Sequence, residues 1–158
     1  FFLGSIFSAV IATKISEAFL KKNVNEINRI SKFTTKILLL ISFIYLIFLY
    51  LFGKIFLSLF GENFVLSYIP LLILSFGYIA RSFSISQDFM VMTNMQKNFL
   101  YILFLGFIIN LAGNYVLIEK YGITGASVAT SISLIFIYTL MPILIYTKHK
   151  INTTIFNI

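Results

Sequence analysis

The sequence lacks cysteine and is poor in charge. Asp, Glu, Lys and Arg make up 11 % of its 158 residues, with five acids against twelve bases. Without cysteine there is neither a disulfide framework nor a thiolate metal site. Catalytic signatures are missing too: no glycine-rich phosphate loop, no nucleophile elbow and no pair of carboxylates in one loop. The single histidine, His149, stands between Lys148 and Lys150 without the companion ligands a metal requires. These absences lead to the expectation of a protein that is not an enzyme and holds no metal or cofactor.

What the sequence does have is apolar surface. With 59 % apolar and 18 % aromatic residues, its natural solvent is largely lipid. At about 20 residues per crossing, the chain reads as an all-α, polytopic transmembrane bundle with one truncated and four complete crossings. The truncated one covers 1–13. The others cover 37–60, where Lys54 is the only charge, then 64–92, 99–117 and 123–146. The apolar opening Phe1-Phe2-Leu3 and the absence of a stop-like tail suggest a single internal fragment, 1–158, of a longer transporter-sized protein.

Between the first two crossings, Ile15, Phe19, Val24, Ile27, Ile30 and Phe33 recur at roughly helical spacing among basic residues. This predicts an amphipathic connector over 14–36 lying along the headgroups. Lys14, Lys21, Lys22, Arg29, Lys32 and Lys36 belong to it, Lys97 falls in the loop 93–98, and Lys148 and Lys150 fall in 147–158. With Arg81 left unassigned, the bases on the opposite side are only Lys54, at the outer end of its helix, and Lys120. The positive-inside rule then makes 14–36, 93–98 and 147–158 cytoplasmic and the protein a multi-pass component of the cell inner membrane. The net charge of +7 becomes a topology signal, and no nucleic-acid partner is required. Asn152-Thr153-Thr154 fits a glycosylation sequon, but on the side of the membrane where that chemistry does not occur.

An ionisable side chain at membrane depth is costly unless it faces a cavity or partner. In a continuous helix over 64–92, Arg81 shares a face with Gly77, Ser84 and Asp88. That stripe could line a wet cavity, with Arg81, Ser84 and Gln87 contacting substrate and Asp88 pairing with Arg81 or binding a coupling ion. Alternatively the helix ends near Ala80 and Arg81 reaches the headgroups. In the next crossing Gly106, Asn110 and Asn114 lie one turn apart. The amides are candidates for substrate contact, although interhelical hydrogen bonding is the commoner use. The small residues Gly122, Gly125, Ala126, Ala129, Thr130 and Ser133 form a packing seam, with Gly106 and Gly113 across the hairpin. Pro70 and Pro142 are candidate kinks.

Asn114-Tyr115-Val116-Leu117-Ile118, followed by Tyr121-Gly122-Ile123-Thr124-Gly125-Ala126 and Ala129-Thr130, resembles the polysaccharide and O-antigen flippases of the multidrug, oligosaccharidyl-lipid and polysaccharide exporter superfamily. The stretch from Leu57 to Phe64 before Leu71 to Ser75 is similar to a second family segment, and Ser16-Glu17 with the basic residues after it to a third. Two departures stand at helix ends. Glu119-Lys120 replaces a proline common before Tyr-Gly-Ile, and the proline expected ahead of Ser16-Glu17 is absent. The resemblance implies part of the carboxy-terminal transmembrane lobe of a flippase. Its partners would be the lipid bilayer, an undecaprenyl-pyrophosphate-linked oligosaccharide, and H+ or Na+ as coupling ion. It would serve polysaccharide or lipopolysaccharide O-antigen biosynthesis. A cation-coupled multidrug exporter of the same superfamily is the alternative, and a membrane-embedded glycan polymerase or transferase a third.

Overall fold

A computed structural model describes residues 2–155, with side chains from residue 11 onward. Phe1, at the start of the expected 1–13 crossing, and residues 156–158 of the loop 147–158 lie outside the described residues. Helix α1 spans Phe2–Leu20, α2 Val24–Ser58, α3 Tyr68–Ser82, α4 Ser86–Met92 and α5 Gln96–His149, with a 3-10 helix, Glu62–Ser67, leading into α3. The molecule is all-α. Three stretches, Val24–Ser58, Glu62–Ser82 and Gln96–His149, are long and apolar enough to cross a membrane.

The crossing expected over 37–60 is the later part of a much longer helix. α2 starts at a reciprocal cap: Asn23 Oδ1 accepts the Glu26 N–H at 3.1 Å, and Asn23 Nδ2 donates to Glu26 Oε2 at 3.2 Å. This answers an orphan donor of the first turn. No glycine or proline interrupts the chain until Gly53, so α2 continues for 35 residues, about 52 Å against a hydrocarbon core of about 30 Å. A separate connector over 14–36 is therefore not what forms. Residues 14–20 finish α1, a turn at 21–23 follows, and 24–36 are collinear with the apolar part of α2. Beyond them Leu40, Ile44, Ile47 and Leu51 are all more than half exposed, a surface suited to lipid rather than water.

The continuous helix expected over 64–92 is broken. α3 stops at Ser82, and α4 does not start until Ser86. Ser84 Oγ accepts the Ser86 N–H at 3.4 Å, the local side-chain-to-backbone bonding by which serine competes with helix. The backbone groups released there are taken up by the segment after α5. The Ile85 N–H donates to Thr153 O at 3.0 Å and the Ile155 N–H to Phe83 O at 3.3 Å, forming an isolated antiparallel bridge between Ser84 and Thr154. Ser86 Oγ and Thr153 Oγ1 are 2.7 Å apart. Asn152, 8 % exposed, accepts at Oδ1 from both the Thr154 N–H and its hydroxyl. The sequon is thus a buried clasp. Pro70 occupies the first turn of α3, where a missing N–H costs nothing, so it is no mid-helix kink. Pro142 does lie inside α5.

Within α5 the backbone is helical except at Gly122, which adopts φ 57°, ψ −135°, a conformation open to glycine alone. One residue thereby reverses the chain into two arms, 96–121 and 123–149, each about 40 Å long. Gly113 faces Ala129 across the hairpin, and Asn110 reaches Thr130.

Cohesion differs between the middle of the bundle and its basic end. Apolar side chains gain nothing by meeting each other in lipid, so helices there associate through small residues and hydrogen bonds. In the middle of the bundle Gly77 lies against the Ser131 backbone and Ser131 Oγ donates to Ile73 O at 2.8 Å; where α3 ends, the hydroxyls of Ser42 and Ser82 touch. At the basic end the core is apolar: Ile15, Ile27, Ile85, Phe89, Met90, Met141, Ile145 and Ile151 are buried together. This is a core built by exclusion of water. The same end gathers the three basic segments. Phe19, Phe89 and His149 stack edge to face, Lys148 Nζ donates to Asn98 Oδ1 at 3.1 Å, and the Asn152 N–H donates to Asn28 Oδ1 at 3.1 Å.

Candidate functional site

The break after α3 brings polar side chains together that helical spacing alone would not. Arg81, half-buried, lies in the last turn of α3, where its charge also complements the helix dipole. Gln87 and Asp88, both half-buried, open α4. From the second arm of α5, Tyr138 donates its hydroxyl to Gln87 Oε1 at 3.2 Å, and Arg81, Asp88 and Tyr78 all act electrostatically on Tyr138. The result is a polar cluster at the α3–α4–α5 junction, combining a guanidinium fork, a carboxylate, an amide and phenols. A guanidinium offers planar, bidentate donors to phosphate or carboxylate oxygens, and an adjacent carboxylate suits a cation.

Three of the predicted residues, Arg81, Gln87 and Asp88, meet here. Ser84 does not: it is buried in the break, occupied by the Ser86 N–H and the bridge to Thr154. The predicted Gly77–Arg81–Ser84–Asp88 stripe is not a helix face, since the backbone leaves the helix between Ser82 and Ser86 and Gly77 packs on Ser131. Arg81 is also the penultimate residue of the Glu62–Ser82 stretch, close to the early-ending alternative read from the sequence. Tyr78 and Tyr138 were missed by sequence reasoning. Their signal was a phenol in an otherwise apolar helix, an amphipathic group whose hydroxyl needs a partner when buried.

Asn110 and Asn114 lie elsewhere. Tyr138 and Thr130 are eight residues apart on one arm, so the amides stand about 12 Å along the bundle from the Arg81 group. Asn110 Nδ2 donates to Thr130 Oγ1 at 3.1 Å, Asn114 Nδ2 to Asn110 Oδ1 at 2.9 Å, and the Thr130 hydroxyl to Ala126 O at 2.9 Å. This ladder clips the two arms together, the commoner use weighed from the sequence. It leaves Asn114 Oδ1 buried without a hydrogen-bond partner. Replacing Thr130 by valine keeps its shape and removes the acceptor for Asn110. We expect a loss of about 1 kcal/mol, read as a lower melting temperature in detergent, with no change in helix content.

The seam glycines divide by role. A methyl on Gly106 would collide with Ile137, and one on Gly113 would come within 2.9 Å of Ala129 Cβ. Gly125 backs onto the Leu117 carbonyl. Ala129 is buried and Ala126 half-buried at the same seam. Gly122 differs, having no atom within 4 Å of an added Cβ; its part is conformational, not close packing. No family model, curated protein or solved structure matches the chain.

Proposed function

We propose that the chain is part of a flippase. It would move an undecaprenyl-pyrophosphate-linked oligosaccharide across the cell inner membrane by alternating access, in polysaccharide or O-antigen biosynthesis. The observation that carries this reading is the meeting of Arg81, Gln87, Asp88 and Tyr138 at the basic end of an otherwise apolar bundle. A lipid-borne anion travels at headgroup depth, and this is where a permanent cation with hydrogen-bonding neighbours can meet it. The resemblance of residues 114–130 to the flippase seam supports the same reading. In this account the basic end faces the cytoplasm. Val24–Ser58, Glu62–Ser82 and the two arms of α5 make four crossings, and α1 contributes another.

Arg81 contacts the pyrophosphate or an acidic sugar, and Gln87 holds Tyr138 in place beside it. Asp88 serves as partner to the guanidinium or as the site of H+ or Na+. Arg81→Gln in the full-length protein is expected to lower surface glycan at least tenfold at normal expression, as loss of a charge-assisted contact predicts; undiminished glycan would remove Arg81 from the mechanism. Asp88 beside a phenol also suits the second reading, a cation-coupled drug exporter. A panel of toxic cations run against glycan rescue separates the two.

A further inference from the structure

Two described non-glycine residues have positive φ, and both are lysines: Lys22 at 52° and Lys150 at 55°. The left-handed region favours glycine, because an L side chain there crowds its own backbone. Both sit where glycine is the usual choice, just past a helix C-terminus. Lys22 closes α1 in a Schellman arrangement, its N–H on Phe19 O and the Asn23 N–H on Ala18 O, each at 3.0 Å. Lys150 caps α5, its N–H on Tyr146 O at 2.9 Å. A cation near a helix C-terminus complements the dipole, but Lys21 at the first end, and Lys148 and His149 at the second, already supply that without strain. Lysine stands at these two positions against the backbone preference.

The two helix ends meet at one groove of about 430 Å3. Its walls are apolar, from Phe19, Leu20, Val24, Ile27 and Ile151, and Lys22 and His149 line it as well. Lys21, Lys148 and Lys150 are exposed nearby along the chain, as are two acids, Glu17 and Glu26, so the surroundings remain net positive. The groove lies at the end of the bundle where the basic segments gather, the end that the positive-inside rule sets against the headgroups. An apolar slot under a basic rim at that depth matches one chemistry, an acyl chain carrying a phosphate.

We propose that this groove binds an anionic phospholipid, with its phosphate on Lys22 and His149, Lys150 at the rim, and an acyl chain between α1, α2 and the segment after α5. The site is separate from the Arg81 group and does not depend on the transport reading. The test uses the full chain in zwitterionic detergent, melted with phosphatidylglycerol, phosphatidylcholine or soluble glycerol 3-phosphate. Phosphatidylglycerol is expected to raise the melting temperature by several degrees and the other two to leave it unchanged. Lys22→Gly with Lys150→Gly should melt at or above the wild type without lipid, since strain is relieved, yet lose the phosphatidylglycerol shift. Lys54→Gln with Lys120→Gln, at the opposite end, should keep it. The proposal is overturned if the glycine variant melts lower without lipid or retains the shift. It is equally overturned if the opposite-end variant loses the shift, or if phosphatidylcholine or soluble phosphate reproduces it.

Discussion

Valine in place of Gly125 should open the α5 hairpin and cost about 3 kcal/mol or more, the upper range for forced overpacking. An added Cβ at this position would overlap the carbonyl oxygen of Leu117. That atom is backbone at the end of the opposite arm, so no rotamer change relieves the clash; the arms must part. Parting them stretches the Asn110–Thr130 bond and the Gly113–Ala129 approach beyond it. Gly122→Ala makes the useful contrast. Nothing lies within 4 Å there, so its cost is backbone strain alone, about 1–3 kcal/mol. Thermal melts of both variants in one detergent check the ordering. A Gly125→Val protein that melts with the wild type would mean that the arms do not approach as described.

Phe89→Ala should be as damaging by a different route, at about 3–5 kcal/mol. Phe89 is 0 % exposed, and its ring meets Phe19 of α1 edge to face at 5.6 Å and His149 of α5 at 6.1 Å. It therefore links α4 to both. Because this core lies at the end where water competes, truncation loses transfer free energy as well as contacts. A truncation that only removed packing in lipid would lose the contacts alone. Urea should accordingly unfold the variant at lower concentration, and cleavage by added protease near residues 83–95 should rise before the apolar helices are affected. If the melting temperature and the cleavage pattern both stay unchanged, the ring does not hold α4 in place.

Much of the helical layout was legible in the sequence, because long apolar runs need only composition and length to be recognised. The hairpin of α5 was legible for the same reason, helped by Gly122. The boundaries were less so, and the reason is physical. Residues 24–36 carry polar and basic side chains, which signals departure from the membrane, but nothing in them ends a helix. Polarity marks where lipid stops, while only glycine, proline or a competing side-chain bond marks where helix stops. At Ser84 and Ser86 that competing bond exists, yet its success depends on Thr153 and Ile155, some 70 residues away. No local pattern reveals a partner at that distance.

The candidate site shows the same division. Arg81, Gln87 and Asp88 stood out as expensive groups in apolar surroundings, and they do assemble. Their assembly rests on the break and on Tyr138, so the helical spacing that selected Ser84 selected a structural residue. Asn110 and Asn114 were correctly placed on one face, but the face belongs to the hairpin seam.

The clasp of residues 152–155 also sets an order of events during synthesis. The hydrogen bonds from Ile85 to Thr153 and from Ile155 to Phe83 can form only after the ribosome has released residue 155. By then α2, α3 and both arms of α5 have already left the tunnel. Closure of the basic end by the clasp therefore follows emergence of the apolar helices. A chain truncated before Ile151 and released from the ribosome should carry its spanning helices with that end still open to protease.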